Sequence, residues 1–233
     1  MFLTDIFFPK FCLGCGYIGV YICPSCQSEF SSIKQDVCLY CKEPSYSGLT
    51  HHNCIKKLNV DGLLTLFYYN PMLKNIIKNI KYRLAIEVWN EFYRTIKPET
   101  IEKLGFYKKL SSDFVIQPVP LTKNKYYERG FNQAKIISDF FQKFLNFPIV
   151  NLLIRKQEIS AQAQLKNQRL RYLNIKGTFA INNKYKNAKL CITNKNIILV
   201  DDVVTTGATV KEAAMVLKGA GAIKVYVLAL AKG

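Results

Sequence analysis

Apolar runs typical of strands alternate along this chain with segments whose apolar positions recur every three or four residues. Residues 62–69 read as a strand. Met72, Ile76, Ile77 and Ile80 then fall at helical spacing, with Lys74, Lys78 and Lys81 on the other faces. Residues 87–96 read as a second helix, 98–110 as a polar, irregular stretch, and 112–120 as a strand ending in prolines. Phe131, Ala134, Ile137, Phe140, Phe141 and Phe144 mark a long amphipathic helix. A short strand is expected near 149–153, a polar helix-like stretch over 161–173, a strand at 178–181, and a surface hairpin or loop over the Lys/Asn-rich 182–195. The apolar run 197–200 is followed by a helix pattern at Val210, Ala213, Ala214 and Leu217, and by a closing strand at 223–229. Such alternation predicts an α/β fold, a doubly wound parallel sheet. Ligands of such sheets bind beyond the carboxyl ends of the strands, where Pro120 and Asp201 both sit.

The chemistry concentrates at one of those ends. Ile197-Ile198-Leu199-Val200 runs directly into Asp201-Asp202-Val203-Val204-Thr205-Thr206-Gly207-Ala208-Thr209. A buried strand, an acidic end and a loop that opens a helix make an anion site. Gly207 lets backbone N–H groups approach closely, Thr205, Thr206 and Thr209 add hydroxyls, and the helix N-terminus adds positive potential. Asp201 and Asp202 repel a phosphate but suit a neighbour bearing hydroxyl donors, or a metal ion. A ribose carrying a 5′-phosphate satisfies both halves.

Cysteine spacing defines a second unit. Seven of the eight cysteines fall within the first 54 residues, as Cys12-x2-Cys15, Cys23-x2-Cys26, Cys38-x2-Cys41 and then His51-x2-Cys54. Repeated knuckles of this kind are the signature of zinc ribbons, and the spacing argues against a disulfide framework. Sequential pairing gives Cys12, Cys15, Cys23 and Cys26 for one ion and Cys38, Cys41, His51 and Cys54 for another, with His52 the alternative imidazole and one or two ions both open. Such sites are structural, because four protein ligands leave no position for water. Cys191 stands apart as a packing residue.

Composition adds less. At 233 residues and 49% hydrophobic the chain accommodates a small appendage, 1–58, and a main α/β domain, 59–233. The apolar N-terminal residues lack a basic leader and are expected to pack on the appendage; no apolar run approaches the length of a membrane span. The net charge of +17 favours a polyanionic partner: nucleic acid, an anionic membrane face or phosphorylated ligands.

The 197–209 segment resembles the phosphoribosyl-pyrophosphate motif of type I phosphoribosyltransferases. Arg129-Gly130-Phe131-Asn132-Gln133-Ala134 closely matches the pattern of the ComF family of competence-associated, phosphoribosyltransferase-like proteins. Arg155, Gln162, Gln164, Arg169, Arg171, Asn174 and Phe179 are similar to that family's Gln/Arg-rich crossing segment, with an extra residue before Asn174 and Ile159 where the family places Thr; they stay outside the candidate site. The resemblance implies a type I phosphoribosyltransferase-like sheet with a small N-terminal zinc-ribbon domain. It makes Pro118-Val119-Pro120 the pyrophosphate-contacting loop, closed over by Lys123, Lys125 or Arg129. Asp201 and Asp202 become the catalytic pair, with phosphoribosyl pyrophosphate and Mg²⁺ held by Val119, Pro120 and the Thr205, Thr206, Gly207, Ala208, Thr209 cradle.

The family further implies natural transformation, with internalised single-stranded DNA handled on the cytoplasmic side, near the inner-membrane DNA-uptake machinery. Two other readings stay open: an enzyme with an unidentified small-molecule acceptor, and a regulator in which the ligand gates DNA or protein binding. No base-recognition hood is expected after the closing strand, and Phe2 stands where glutamine-dependent relatives carry a cysteine nucleophile.

Overall fold

A computed structural model describes residues 9–79, 85–110, 113–156, 175–184 and 192–233. The ribbon region contributes α1 (Pro24–Gln27) and α2 (His52–Leu58). The chain then runs through β1 (Gly62–Tyr68), α3 (Pro71–Asn79), α4 (Ala85–Thr95), α5 (Pro98–Glu102), α6 (Gly105–Lys108), β2 (Phe114–Pro118), α7 (Lys123–Arg129) and α8 (Gln133–Leu145). It ends with β3 (Leu153–Arg155), β4 (Phe179–Ile181), β5 (Asn196–Val204), α9 (Ala208–Gly219) and β6 (Lys224–Lys232).

The main sheet is parallel throughout, in the order β1-β6-β5-β2. Its central strands read as unbroken apolar runs because both faces are covered. Successive side chains point to opposite faces, so each run is divided between two cores. Ile198, Val200, Leu228 and Leu230 face Met72, Ile76, Phe92, Ile137 and Phe140 of α3, α4 and α8. Ile197, Leu199, Val225 and Val227 face Val210, Ala213 and Leu217 of α9. This is the expected doubly wound sheet.

The ribbon packs onto both layers. Cys12, Cys23 and Cys26 join the first core and Leu39 the second. The Tyr107 hydroxyl donates to the Ser47 carbonyl at 2.9 Å. Gly48 lies so close to β1 that a Cβ there would sit 1.9 Å from the Leu63 carbonyl oxygen.

Several local readings need correction. The 98–110 stretch is helical, as α5 and α6, because Pro98 starts a helix and Thr100, Leu104 and Tyr107 bury at helical spacing. The strand expected at 149–153 reduces to a bridge from Ile149 to Ile116; β3 begins later and pairs antiparallel with β4, apart from the main sheet. A buried side chain intervenes: Gln117 Oε1 accepts from the Leu152 N–H at 2.6 Å, taking the donor a continued strand would use. Strand β5 does not end at the acids but continues to Val204, held by Val203 and Val204 pairing with Ala231 and Lys232 of β6. The segments at 1–8 and 161–173, together with Ile80, Lys81, Ile159 and Cys191, lie outside the described residues.

Candidate functional site

Two loops meet at the carboxyl edge of the sheet. Strands β2 and β5 pair up to Pro118 opposite Val200, and the Val119 N–H donates to the Val200 carbonyl at 2.8 Å. The proline loop 118–120 therefore adjoins Asp201 and Asp202. Gln117, 1% exposed, steadies it: its Nε2 donates to the Pro118 carbonyl at 2.6 Å. Asn132 steadies it from the other side, donating from Nδ2 to the Val119 carbonyl at 3.0 Å while its Oδ1 caps α8 by accepting from the Ala134 N–H at 3.1 Å.

On β5, Asp201 and Asp202 are half-buried. Burial, and then the neighbouring Asp202 carboxylate, raise Asp201 well above the ordinary carboxylate range, although its Oδ1 accepts from the Asp202 N–H at 2.9 Å. The Arg155 charge opposes that rise, and two adjacent carboxylates are also a donor set that suits a divalent cation. Tyr69 lies near enough that the Asp202 charge, after burial, raises its phenol.

The cradle follows. Gly207 is left-handed at φ 77° and ψ 5°, and its carbonyl accepts the Lys211 N–H at 2.9 Å as α9 begins. Thr206 Oγ1 accepts from the Ala208 N–H at 3.4 Å, Thr205 is exposed, and Thr209 is half-buried. Gly207 and Ala208 are buried. The cradle, the acids and the proline loop thus share one edge.

The basic motif is arranged differently from a free loop. Lys123, Lys125 and Arg129 lie on a helix, α7, which Gly130 closes in the left-handed conformation. Arg129 Nη1 donates to Gln133 Oε1 at 3.1 Å, which fixes it along the α7–α8 corner. Lys123 is exposed and Lys125 half-buried.

Sequence reasoning set one nearby cation aside. Arg155, at the end of β3, lies over the Phe179 ring at 5.3 Å and has a buried Nε without a hydrogen-bond partner among the described residues. Burial lowers its guanidinium, and the Asp201 charge opposes that shift. The Gln/Arg-rich stretch contained the clue, but only the β3–β4 pairing brings Arg155 toward the acids.

The cysteines gather into two groups: Cys12, Cys15, Cys23, Cys26, and Cys38, Cys41, His51, Cys54, with ligand atoms in each group within 4.8 Å of one another. Cys15 and Cys23 sulfurs are 3.5 Å apart, and Cys41 Sγ lies 3.2 Å from His51 Nδ1. A tetrahedral zinc with bonds of about 2.3 Å places sulfurs about 3.8 Å apart, so both groups fit that ion. His51 joins the second group, whereas His52 begins α2. Burial acts to raise Cys12, but N–H groups of Cys15, Cys23 and Gly14 outweigh it and lower the thiol to about 6. Burial and the neighbouring thiols push Cys26 of the same group up. In the second group burial acts to raise Cys38 but the N–H groups of Cys41, His51 and Tyr40 lower it to about 7, while burial and the neighbouring thiols push Cys54 up to about 11. A cluster mixing thiolate and thiol character is what a metal resolves by deprotonating its ligands. Among the described residues no helix is long and apolar enough to cross a membrane.

Comparison with known proteins adds independent findings. A phosphoribosyl transferase domain family model matches residues 104–233, and a double zinc ribbon domain model matches residues 3–55. The chain is 30% identical over 205 residues to the competence protein ComFC of Bacillus subtilis, covering 84% of this chain and 77% of that protein. It is 27% identical over 220 residues to the DNA utilization protein YhgH of Escherichia coli K12, covering 93% and 92% respectively. Among solved structures, an allosteric regulatory enzyme of purine biosynthesis is similar at 18% identity and a TM-score of 0.33, over 54% of this chain and 23% of that chain.

Proposed function

The chain belongs to the ComF family, whose double zinc ribbon precedes a phosphoribosyltransferase domain, and on that premise we propose that it binds Mg²⁺-phosphoribosyl pyrophosphate and handles single-stranded DNA in natural transformation. The observation that carries the ligand reading is the shared edge: twin acids, a left-handed glycine at a helix N-terminus and a braced proline loop. The DNA reading rests on the competence and DNA-utilization relatives and the net charge of +17. It assigns the protein to the cytoplasmic side, beside the inner-membrane uptake machinery.

In this reading the Thr205–Thr209 cradle takes the 5′-phosphate and so fixes C1 of the ribose. Asp201 and Asp202 accept from the ribose hydroxyls, and their charge favours positive charge growing on the ring as pyrophosphate departs. Mg²⁺, when bound with the ligand, would supply positive charge to offset that of the departing pyrophosphate. Val119, Pro120 and the α7 cations Lys123, Lys125 and Arg129 form the pyrophosphate side. Zinc, held by the two cysteine groups, is structural.

The test is calorimetric titration of Mg²⁺-phosphoribosyl pyrophosphate into the wild type and Asp202→Ala. Saturable binding lost in the variant is expected; absence of binding to the wild type removes the ligand reading. Pyrophosphate release with a nucleobase or amine, dependent on Asp201 and Asp202, would move the assignment to an enzyme with a small-molecule acceptor.

A further inference from the structure

Beside the carboxyl edge lies a cleft of about 1220 Å³ between α7, the start of α8 and the β3–β4 hairpin. Deepening the function proposed above, and resting on it, we propose that this cleft seats a single-stranded polynucleotide next to the bound sugar phosphate. The charge of the walls points to a polyanion. Lys123, Lys135, Arg155, Lys156 and Lys184 line it, and among the described residues no carboxylate does. Lys135 pairs with Asp139 on its own helix.

The aromatic residues narrow the choice. Tyr126 and Tyr127 are 50% and 81% exposed on α7, and with Phe131 they line the cleft on the side of Lys123, facing the hairpin that carries Arg155 and Lys156. Exposed rings interleaved with cations can track a phosphate backbone and stack its bases. Duplex DNA withholds its base faces within the stack, so the platform favours an unpaired strand. Asn151 and Asn183 add amides able both to donate to and to accept from base edges. Small-ligand pockets span about 300–1,000 Å³; this cleft exceeds that range and accommodates more than one nucleotide.

Position completes the argument. Pro120 belongs both to the cleft wall and to the proline loop beside the acids. Arg155 lines the cleft, stacked on Phe179, with a buried Nε that has no partner among the described residues. A strand in the cleft therefore reaches the neighbourhood of the sugar phosphate, where an oxygen acceptor on the guanidinium would satisfy that donor.

The experiment uses the full chain, a fluorescent oligo-dT single strand and its duplex with oligo-dA, over a salt series. Three variants are compared with the wild type: Tyr126→Ala/Tyr127→Ala, Lys156→Glu, and Lys224→Glu, an exposed lysine starting β6 at the opposite edge of the sheet. The tyrosine variant is expected to lose about tenfold in single-strand affinity while duplex binding and Mg²⁺-phosphoribosyl pyrophosphate binding stay unchanged. Lys156→Glu is expected to lose at least fivefold and to flatten the salt dependence, with Lys224→Glu close to wild type. Cleft variants that bind single strands as the wild type does, or a loss shared equally by Lys224→Glu, would overturn the cleft alone. A wild type that binds no single strand would overturn the cleft and the DNA reading together, leaving sugar-phosphate binding to be judged by its own titration.

Discussion

Leu39, inside the Cys38–Cys41 knuckle, packs against Gly207, inside the proposed phosphate cradle: a Cβ at Gly207 would stand 3.0 Å from Leu39 Cδ2. Leu39 is 2% exposed and shares a core with Val204, Ala208 and Val210. Its carbonyl also accepts from Lys42 Nζ at 2.7 Å. The knuckle thus forms one wall of the loop proposed to hold the phosphate.

Gly207→Ala combines two penalties. Its φ of 77° costs an L side chain about 1–2 kcal/mol, and the new methyl must displace Leu39. An unliganded loop that relaxes out of this strain must restore it on binding, and since about 1.4 kcal/mol is tenfold in affinity, Mg²⁺-phosphoribosyl pyrophosphate binding should fall about five- to thirtyfold by calorimetry, with bound zinc unchanged. An undiminished affinity would mean the cradle is not the phosphate site.

The two metal groups should differ in their effect on that ligand. Leu39 lies between Cys38 and Cys41, whereas Cys12, Cys23 and Cys26 pack on the opposite layer of the sheet. His51→Ala, at an exposed ligand of the second group, should release the knuckle and weaken ligand binding severalfold. Cys15→Ser, exposed in the first group, should leave it nearly intact. Zinc stoichiometry measured beside each titration checks that one ion is lost in each case; equal effects on the ligand would sever the knuckle from the cradle.

The sequence revealed what depends on local spacing. Cysteine intervals identified the groups, and the strand-acid-glycine-helix order marked the cradle. The central strands were legible because a parallel sheet covered on both faces needs unbroken apolar runs. Long-range partners were not legible. Gln117 capturing the Leu152 N–H displaced a strand, Gly207 met Leu39 from far up the chain, and Arg155 came within electrostatic reach of Asp201 through a hairpin formed with β4. None of these pairs leaves a periodic signal. The missed helices at 98–110 did leave one, in Thr100, Leu104 and Tyr107, but the surrounding lysines and glutamates diluted it.

Asp201 gives a pH signature of defined sign. Its raised pKa means that the folded protein without ligand keeps the proton to higher pH than the unfolded chain does. The associated stability is present below the ordinary carboxylate range and is lost as pH rises through the raised value. Ligand binding runs oppositely, because ribose hydroxyls and a cation need the ionised carboxylate. Affinity should therefore rise over the same interval, with a proton released on binding. Denaturant midpoints across pH, and calorimetry in two buffers of different ionisation heat, measure both effects, and Asp201→Asn should flatten both. Binding without proton release would show that Asp201 is already ionised or takes no part.

Asn132 separates helix stability from ligand binding, because one side chain does two jobs. Its Oδ1 accepts from the Ala134 N–H, and its Nδ2 donates to the Val119 carbonyl. Asn132→Ala removes both; the lost cap costs about 1 kcal/mol, and a chain of this size should lose about 2–4 °C in Tm. Asn132→Asp keeps an acceptor for the cap and favours the α8 N-terminus electrostatically, but it has no donor for Val119 and sets a carboxylate beside the loop assigned to pyrophosphate. Its Tm should stay near wild type while Mg²⁺-phosphoribosyl pyrophosphate affinity falls at least tenfold. If Asn132→Asp bound the ligand normally, the Val119 brace would be incidental and the proline loop would hold its shape by Gln117 alone.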